Sequence, residues 1–308
     1  MFNEDLEALV VSHSEVDTAE TGTAMTVLPT FVVIGAAKAG TTSIHEYLSE
    51  HPQVFMPSIK PQFFAYDGPG SVGDYPVRDF AHYESLFADA QGYPAIGDVS
   101  EACLNSTGAA ERIATTIPDA LIIVVLRNPV ERAFSGYMMQ LRTGKQQVEA
   151  AAAFREDATF VQGGFYFERL TRYFDRFPPE HIQVHLFDDF SADTLGVMQR
   201  MFRFVRVDDT FRPNVGVRHN VGYSPRSRAL SAFVARRDVR RIAKRIVPPP
   251  VRPLMRRALR ANQAAIPTMP ATLSAEMEEL YREDILRVQE LIGRELSQWT
   301  GAGLRATS

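Results

Sequence analysis

The chain has 308 residues, of which 45% are hydrophobic and 23% are charged, as is usual for a folded globular protein. Its single cysteine, Cys103, excludes an intrachain disulfide and a cysteine-rich zinc site. The sequence lacks an apolar run long enough to span a bilayer, and its start lacks the basic and apolar regions of a secretory signal. We therefore expect residues 1–26 to form a flexible arm, residues 27–308 to form one domain, and the protein to be cytoplasmic.

The net charge of −4 is unevenly distributed along the chain. Residues 226–260 contain 12 of the 33 Lys and Arg residues and one of the 37 Asp and Glu residues. Within this basic segment, residues 231–247 can form a helix with apolar residues opposite the arginines, so a peripheral membrane contact, a contact with an acidic acceptor and a solvated flap or insertion all stay open. A nucleic-acid partner is disfavoured because no base-stacking motif accompanies the charge.

The first motif of the chain combines a strand, a glycine-bounded loop and the start of a helix. Four apolar residues at 31–34 predict a short buried parallel strand that ends at Gly35, and Thr41 or Thr42 begins a helix. The loop amides and the unpaired N–H groups of the helix start would point at one spot, where Lys38 adds a positive charge. This arrangement predicts a phosphate site.

The position of the lysine distinguishes this loop from a Walker A motif. A Walker A loop places its lysine directly after the second glycine, whereas Lys38 precedes Gly40. The order G-x-x-K-x-G-T-T resembles the 5′-phosphosulfate loop of sulfotransferases that use PAPS (3′-phosphoadenosine 5′-phosphosulfate). The alternative is a generic turn between a strand and a helix, with a solvated lysine.

The rest of the chain alternates between predicted strands and predicted helices. Apolar runs predict strands at 54–56, 95–99, 120–126 and 182–186, and amphipathic stretches predict helices at 79–90, 108–117, 130–142, 166–177, 194–204 and 272–298. This alternation predicts an α/β fold with a P-loop-like, doubly wound, mostly parallel sheet and helices on both faces. Ligands of such folds bind at the carboxyl ends of the strands.

A second motif, VVLRNPVERAFSGYMM, occupies residues 124–139. Arg127 follows the strongest predicted strand, and Ser135 lies eight residues later on the next helix. About two turns of helix bring the Ser135 hydroxyl back towards the strand end, so both side chains can bind one anion. This pair resembles the one that binds the 3′-phosphate of PAPS in sulfotransferases. The alternative makes Arg127 a structural ion-pair partner and Ser135 a neutral helix residue.

Residues 163–190, 202–213 and 292–299 extend the resemblance to the heparan-sulfate-type branch of the PAPS-dependent sulfotransferases and its bacterial relatives. This resemblance implies PAPS as donor, PAP (its desulfonated product) and no metal. It further implies in-line transfer of a sulfuryl group to a hydroxyl or amine of a small-molecule, glycan or lipid acceptor.

The same resemblance assigns a role to each residue of the two motifs. Lys38 would stabilise charge on the oxygen between sulfur and phosphorus, and Arg127 and Ser135 would hold the 3′-phosphate. The cofactor loop would be completed by Ala39, Gly40, Thr41 and Thr42, and the candidates for closing the cofactor site are Arg218, Asn220 and Arg226. For these last three, a solvated basic loop is the alternative.

The catalytic base is the point where the sequence departs from the family pattern. Bacterial relatives often have Lys-Glu-Pro-x-Phe-Phe, whereas residues 59–64 here are IKPQFF. Either Lys60 occupies the position of the Glu or the Glu is deleted, and Gln62 occupies a position that is often His. A charged lysine cannot accept a proton and an amide is not basic, so another group must act as the base.

Asp98 is the first substitute for the missing base, because it lies near a predicted strand end in a stretch that resembles a family motif near the acceptor. Glu101 is the second, since it stands where that motif usually has proline, and Asp67 and His82 are further candidates. For each of them, loop capping or a surface charge is the alternative.

Three functions of different classes remain after this reasoning. The first is a PAPS-dependent sulfotransferase, in which Lys38, Lys60 and Asp98 are the catalytic candidates. The second is a P-loop kinase or NTPase, which the lysine position and the Arg127–Ser135 pair disfavour. The third is a PAP-binding protein with altered or lost catalysis, which the residues at positions 60 and 62 would explain.

Overall fold

The computed structural model describes residues 27–71, 73–143, 148–216, 224–225, 263–264 and 268–300. The predicted arm at 1–26 and the basic segment at 226–260, with its predicted helix at 231–247, lie outside the described residues. The candidate cofactor residues Arg218, Asn220 and Arg226 also lie outside them.

Five strands form one sheet in which every neighbouring pair is parallel. In chain order they are β1 (Phe31–Gly35), β2 (Val54–Phe55), β3 (Ala95–Val99), β4 (Leu121–Leu126) and β5 (Ile182–Leu186). The strand order across the sheet is β2-β3-β1-β4-β5, and two further two-residue strands, β6 (Ser224–Pro225) and β7 (Gln263–Ala264), pair antiparallel. The predicted α/β fold with a mostly parallel sheet is confirmed.

Ten α-helices lie between and after the strands in the part of the chain that the structure describes. They are α1 (Thr41–Ser49), α2 (Phe80–Ser85), α3 (Ala109–Thr116), α4 (Pro129–Thr143), α5 (Ala150–Glu156), α6 (Ala158–Gln162), α7 (Phe167–Phe174), α8 (Phe187–Ala192), α9 (Thr194–Phe204) and α10 (Ala271–Ile292). None of them is long and apolar enough to cross a membrane.

The centre of the sheet is apolar on both faces, as the continuous hydrophobic runs predict. Every residue of β1 and β4 is buried, which is the pattern of parallel strands covered by helices. Because β1 lies between β3 and β4, the loops that follow these three strands meet at the carboxyl edge of the sheet. Cys103, which lies in the loop after β3, is buried.

Several helix boundaries differ from the predicted ones. The predicted helix at 272–298 ends at Ile292, because Gly293 adopts a left-handed conformation with φ 62°. The predicted helix at 79–90 is reduced to α2, which Asp79 caps through the amide of His82, and a separate 3-10 turn at Ala88–Ala90. Helices α5 and α6 are not predicted, because their alanine-rich stretch has no apolar period.

Candidate functional site

The loop between β1 and α1 presents unpaired amide groups at the carboxyl edge of the sheet. The first hydrogen bond of α1 runs from the amide of Ile44 to the carbonyl of Gly40 (3.1 Å). Among the described residues, the amides of Gly40, Thr41 and Thr42 have no acceptor. These amides and the positive end of the helix dipole make the loop an anion site.

The backbone of this loop requires glycine at position 40. Gly40 has φ 86°, a left-handed conformation that glycine adopts without strain. A Cβ atom there would lie 3.1 Å from the ring of Phe190 and 3.3 Å from that of Phe187, both on α8. The loop is therefore held against α8 at the point where α1 begins.

Lys38 lies half-buried in the loop, next to α4. Its Nζ contacts the Sδ atom of Met139 on α4 at 3.3 Å, and no carboxylate of the described residues lies within ion-pair distance. Burial lowers the pKa of Lys38 to about 8, and the positive charges of Arg142 and Arg127 act in the same direction. An anion bound at the loop would therefore neutralise an unpaired charge.

Arg127 connects the end of β4 to the same loop. Its Nη1 donates to the carbonyl of Lys38 (3.2 Å), and its Nη2 donates to Glu131 (3.0 Å). The guanidinium lies 4.6 Å from the ring centroid of Phe187, and the carbonyl of Arg127 accepts from the hydroxyl of Tyr166 (2.8 Å). The structure thus brings the two predicted phosphate-binding motifs together.

Ser135 lies on the part of α4 that faces this region. It is half-buried, and its hydroxyl has no hydrogen-bond partner in the described part of the chain. The spacing of Ser135, Met139 and Arg142 places them on one face of α4, and Met139 contacts Lys38. The Ser135 hydroxyl is consequently on the helix face that carries contacts to the loop.

Lys60 lies beside the start of α1 rather than on the surface. Its Nζ donates to the hydroxyls of Thr41 (3.1 Å) and Thr42 (3.3 Å) and to Oε2 of Glu101 (3.1 Å). Because these hydroxyls accept from the ammonium, their own hydrogens remain available to an anion. Lys60 therefore joins the anion site to the loop after β3.

Gln62 fixes that loop from the other side. Its Nε2 donates to Oε2 of Glu101 (3.1 Å), and its Oε1 accepts from the amide of Ala102 (3.0 Å). The amide of Gln62 donates to the hydroxyl of Ser100 (2.8 Å). Gln62 therefore holds residues 100–102 in place through hydrogen bonds.

Asp98, the first candidate for the base, is completely buried in β3. Its Oδ1 accepts from Ser100 (2.6 Å) and its Oδ2 from the hydroxyl of Tyr83 (2.8 Å). Burial raises the pKa of Asp98 to about 6, although these hydrogen bonds act in the opposite direction. With no exposed surface and with both oxygens occupied, Asp98 is placed as a structural group, and nothing in this arrangement lets it touch an acceptor.

Two further candidates for the base, Asp67 and His82, have partners or positions of their own. Asp67 forms an ion pair with Arg112 (2.7 Å) and accepts from the hydroxyl of Ser106 (3.1 Å). His82 lies exposed on α2, with its amide bonded to Asp79. Neither contacts a residue of the anion site.

Sequence reasoning missed the supports that position the motifs. Helix α8, which packs against the loop, is itself held by the C-terminal part of the chain, since Trp299 donates to Asp188 (2.8 Å) and Arg294 pairs with Asp189 (2.6 Å). These residues lie in the segments at 163–190 and 292–299 that resemble the sulfotransferase pattern. The resemblance of those segments was the only signal, and it does not say which side chains meet.

Comparisons with known proteins find sulfotransferases by family model, by structure and by sequence. The family model described as "Sulfotransferase family" matches residues 78–211. The crystal structure of a sulfotransferase from Alicyclobacillus acidocaldarius superposes with a TM-score of 0.68 and 27% identity, covering 89% of this chain and 99% of that one. The membrane-associated sulfotransferase kil1 of Dictyostelium discoideum is 33% identical over 115 residues, which are 37% of this chain and 24% of that protein.

A human relative, heparan sulfate glucosamine 3-O-sulfotransferase 6, is 28% identical over 187 residues, which are 58% of this chain and 52% of that protein. The chain thus spans between about a quarter and about half of the length of these curated relatives. The resemblance to sulfotransferases that the two motifs predict is confirmed.

Proposed function

We propose that this protein is a PAPS-dependent sulfotransferase, which moves a sulfuryl group from PAPS to a hydroxyl or amine by in-line transfer. The observation that carries the proposal is the meeting of the two motifs, since Arg127 at the end of β4 bonds to the carbonyl of Lys38 in the loop after β1. Two positively charged side chains at the ends of neighbouring strands can bind a nucleotide that carries phosphates at both the 3′ and the 5′ positions of its ribose.

In this proposal the 5′-phosphosulfate lies on the free amides at the start of α1. Lys38, whose ammonium lacks a carboxylate partner among the described residues, would stabilise the charge that develops on the 5′-phosphate oxygen as the sulfur–oxygen bond breaks. The hydroxyls of Thr41 and Thr42 would donate to the same phosphate. Ala39, which is buried between Lys38 and Gly40, contributes backbone only.

Arg127 and Ser135 would hold the 3′-phosphate, which is the group that distinguishes PAP from AMP. Arg127 has two N–H groups that the contacts to Lys38 and Glu131 do not use. Its ion pair with Glu131 is exposed on the glutamate side, so an anion can compete for the guanidinium at little cost.

The acceptor is a small molecule, a glycan or a lipid in this proposal. The glycan class is supported by the human relative, which by its name sulfates a glucosamine of heparan sulfate. A cytoplasmic location and a peripheral membrane contact through residues 231–247 stay predictions, as does the single domain at 27–308.

A thermal-shift titration with PAP and with ATP–magnesium tests the cofactor. A ligand that binds only the folded state raises the melting temperature by mass action, so we expect a shift with PAP and a smaller one with ATP–magnesium. A larger shift with ATP–magnesium would favour a kinase or NTPase instead. Formation of PAP from PAPS, measured by chromatography, separates an enzyme from a PAP-binding protein.

A further inference from the structure

We infer that Glu101 is the general base of the sulfuryl transfer and that Lys60 and Gln62 position it. This inference rests on the proposed function, because it concerns the acceptor side of the same site. The residue that accepts the proton then lies outside the 59–64 motif, and the positively charged Lys60 serves to hold it in position.

The reaction needs a base close to the anion site. The acceptor oxygen or nitrogen forms a bond to sulfur while the bond from sulfur to the 5′-phosphate oxygen breaks, and that oxygen keeps the electron pair as PAP leaves. The proton of the acceptor must pass to another group, which in this proposal is Oε1 of Glu101. Lys60 cannot take it while its ammonium is charged.

Glu101 is the carboxylate that the structure connects to the start of α1. Its Oε2 accepts from the ammonium of Lys60, which in turn donates to Thr41 and Thr42, the first residues of that helix. Its charge also acts on Lys38, the residue proposed to stabilise the leaving oxygen. One ammonium thus separates the carboxylate from the site of the phosphosulfate.

One oxygen of Glu101 remains open to an acceptor. Lys60 and Gln62 both donate to Oε2, each at 3.1 Å, whereas Oε1 has no partner in the described ranges. The side chain is 28% exposed, in contrast to the fully buried Asp98. Two donors on one oxygen fix the direction of the other, as a positioned base requires.

The other carboxylates near the two phosphate motifs are occupied. Glu131 pairs with Arg127 through both Nε and Nη2, so it stands on the side proposed for the 3′-phosphate. Asp98 has both oxygens bonded and no surface. Glu101 alone among these three combines an open oxygen with a connection to the helix start.

The departures at positions 60 and 101 explain one another in this arrangement. In the family pattern that the sequence resembles, a glutamate lies near position 60 and a proline at position 101, whereas here Glu101 puts a carboxylate on the loop after β3. The ion pair between the two side chains keeps one positive and one negative charge at the acceptor side of the site.

Single-turnover conversion of PAPS to PAP tests the inference, first with water as the acceptor and then with a series of alcohols and phenols. The variants are Glu101→Gln and, as a matched control, Glu180→Gln, whose glutamate is exposed in the turn before β5 at the opposite edge of the sheet. Titration with PAP measures the affinity of each variant.

We expect Glu101→Gln to slow turnover by about 10²- to 10⁴-fold while PAP affinity changes by less than about threefold. Glu180→Gln should match the wild type in both measurements. The loss should largely disappear with phenols that are already ionised at the assay pH, because such acceptors have no proton to give up. Lys60→Met should lower turnover less than Glu101→Gln, with the same dependence on the acidity of the acceptor.

Two results would overturn the inference while leaving the proposed function in place. One is turnover of Glu101→Gln close to that of the wild type, and the other is an equal loss with all acceptors, which would make Glu101 a structural partner of Lys60. A wild type that binds PAP but converts no PAPS would instead contradict the proposed catalysis, and the inference with it.

Discussion

Asp98 and Glu101 lie three residues apart in the sequence, yet their carboxylates differ in burial and in hydrogen bonding. Asp98 belongs to an inner cluster with Tyr83 and Ser100, where it is fully buried and both of its oxygens accept hydrogen bonds. Glu101 belongs to an outer cluster with Lys60 and Gln62, where one oxygen is bonded and the other has no partner among the residues that the structure describes.

The two clusters are connected through Ser100. Its hydroxyl donates to Asp98 and accepts from the amide of Gln62, so the inner cluster fixes the loop from which Glu101 extends. A buried carboxylate whose two oxygens both accept hydrogen bonds, such as Asp98, cannot reach a substrate. Its role is to stabilise the loop that carries its neighbour, Glu101. A charge near a strand end is a candidate for catalysis only where one of its oxygens can meet a substrate.

The largest expected effect on stability is the pH dependence that the inner cluster produces. Burial raises the pKa of Asp98 to about 6 from an ordinary value of 3.8. The folded state therefore keeps this proton to a higher pH than the unfolded state does. The stabilisation is full below about pH 4 and is lost as the pH rises through about 6.

Comparison of the wild type with Asp98→Asn isolates this effect, since the other titrating groups are shared. We expect the free energy of unfolding of the wild type to fall by about 2–3 kcal/mol relative to the variant between pH 4 and pH 7. Urea unfolding at several pH values gives the measurement. A difference that is constant with pH would show that Asp98 is not buried as described.

A smaller effect separates the stabilities of the two clusters at a single pH. Tyr83→Phe leaves one oxygen of Asp98 buried without a donor, so the free energy of unfolding should fall by about 1–3 kcal/mol. Glu101→Gln removes a partly exposed ion pair and should cost less than about 1 kcal/mol. Equal losses of unfolding free energy in the two variants would show that the two clusters contribute equally to stability.

The smallest effect concerns the anion site beside the outer cluster. Burial and the nearby arginines lower the pKa of Lys38 to about 8, so its charge in the free protein is lost above that pH. The affinity for PAP should fall by about tenfold from pH 7 to pH 9, because binding requires the charged form. Calorimetry on Lys38→Met, which should bind weakly and without this pH dependence, is the control.

The central strands of the sheet and the anion loop could be predicted from the sequence. The buried runs at 31–34 and 120–126 became β1 and β4, and the spacing of Lys38 and Gly40 marked the anion loop. These features depend on local periodicity and on glycine at a left-handed position, which a sequence displays directly.

The assignment of the base could not be predicted in the same way. Asp98 and Glu101 look alike in the sequence, and what separates them is Tyr83 from α2 on one side and Lys60 from the loop after β2 on the other. Those partners lie 15 and 41 residues away along the chain, so only the tertiary fold decides which carboxylate is buried. Our prediction of Asp98 as the first candidate followed its place near a strand end, which does not report burial.

The central claim is that the ends of β1 and β4 hold one nucleotide with phosphates at both its 3′ and 5′ positions. Calorimetric titration of PAP and of AMP, which lacks the 3′-phosphate, into the wild type and into Arg127→Ala tests it most directly. We predict that the wild type prefers PAP, and that Arg127→Ala loses most of this preference while its affinity for AMP is unchanged. Equal weakening of both ligands would contradict the claim, because Arg127 would then act only by holding the carbonyl of Lys38.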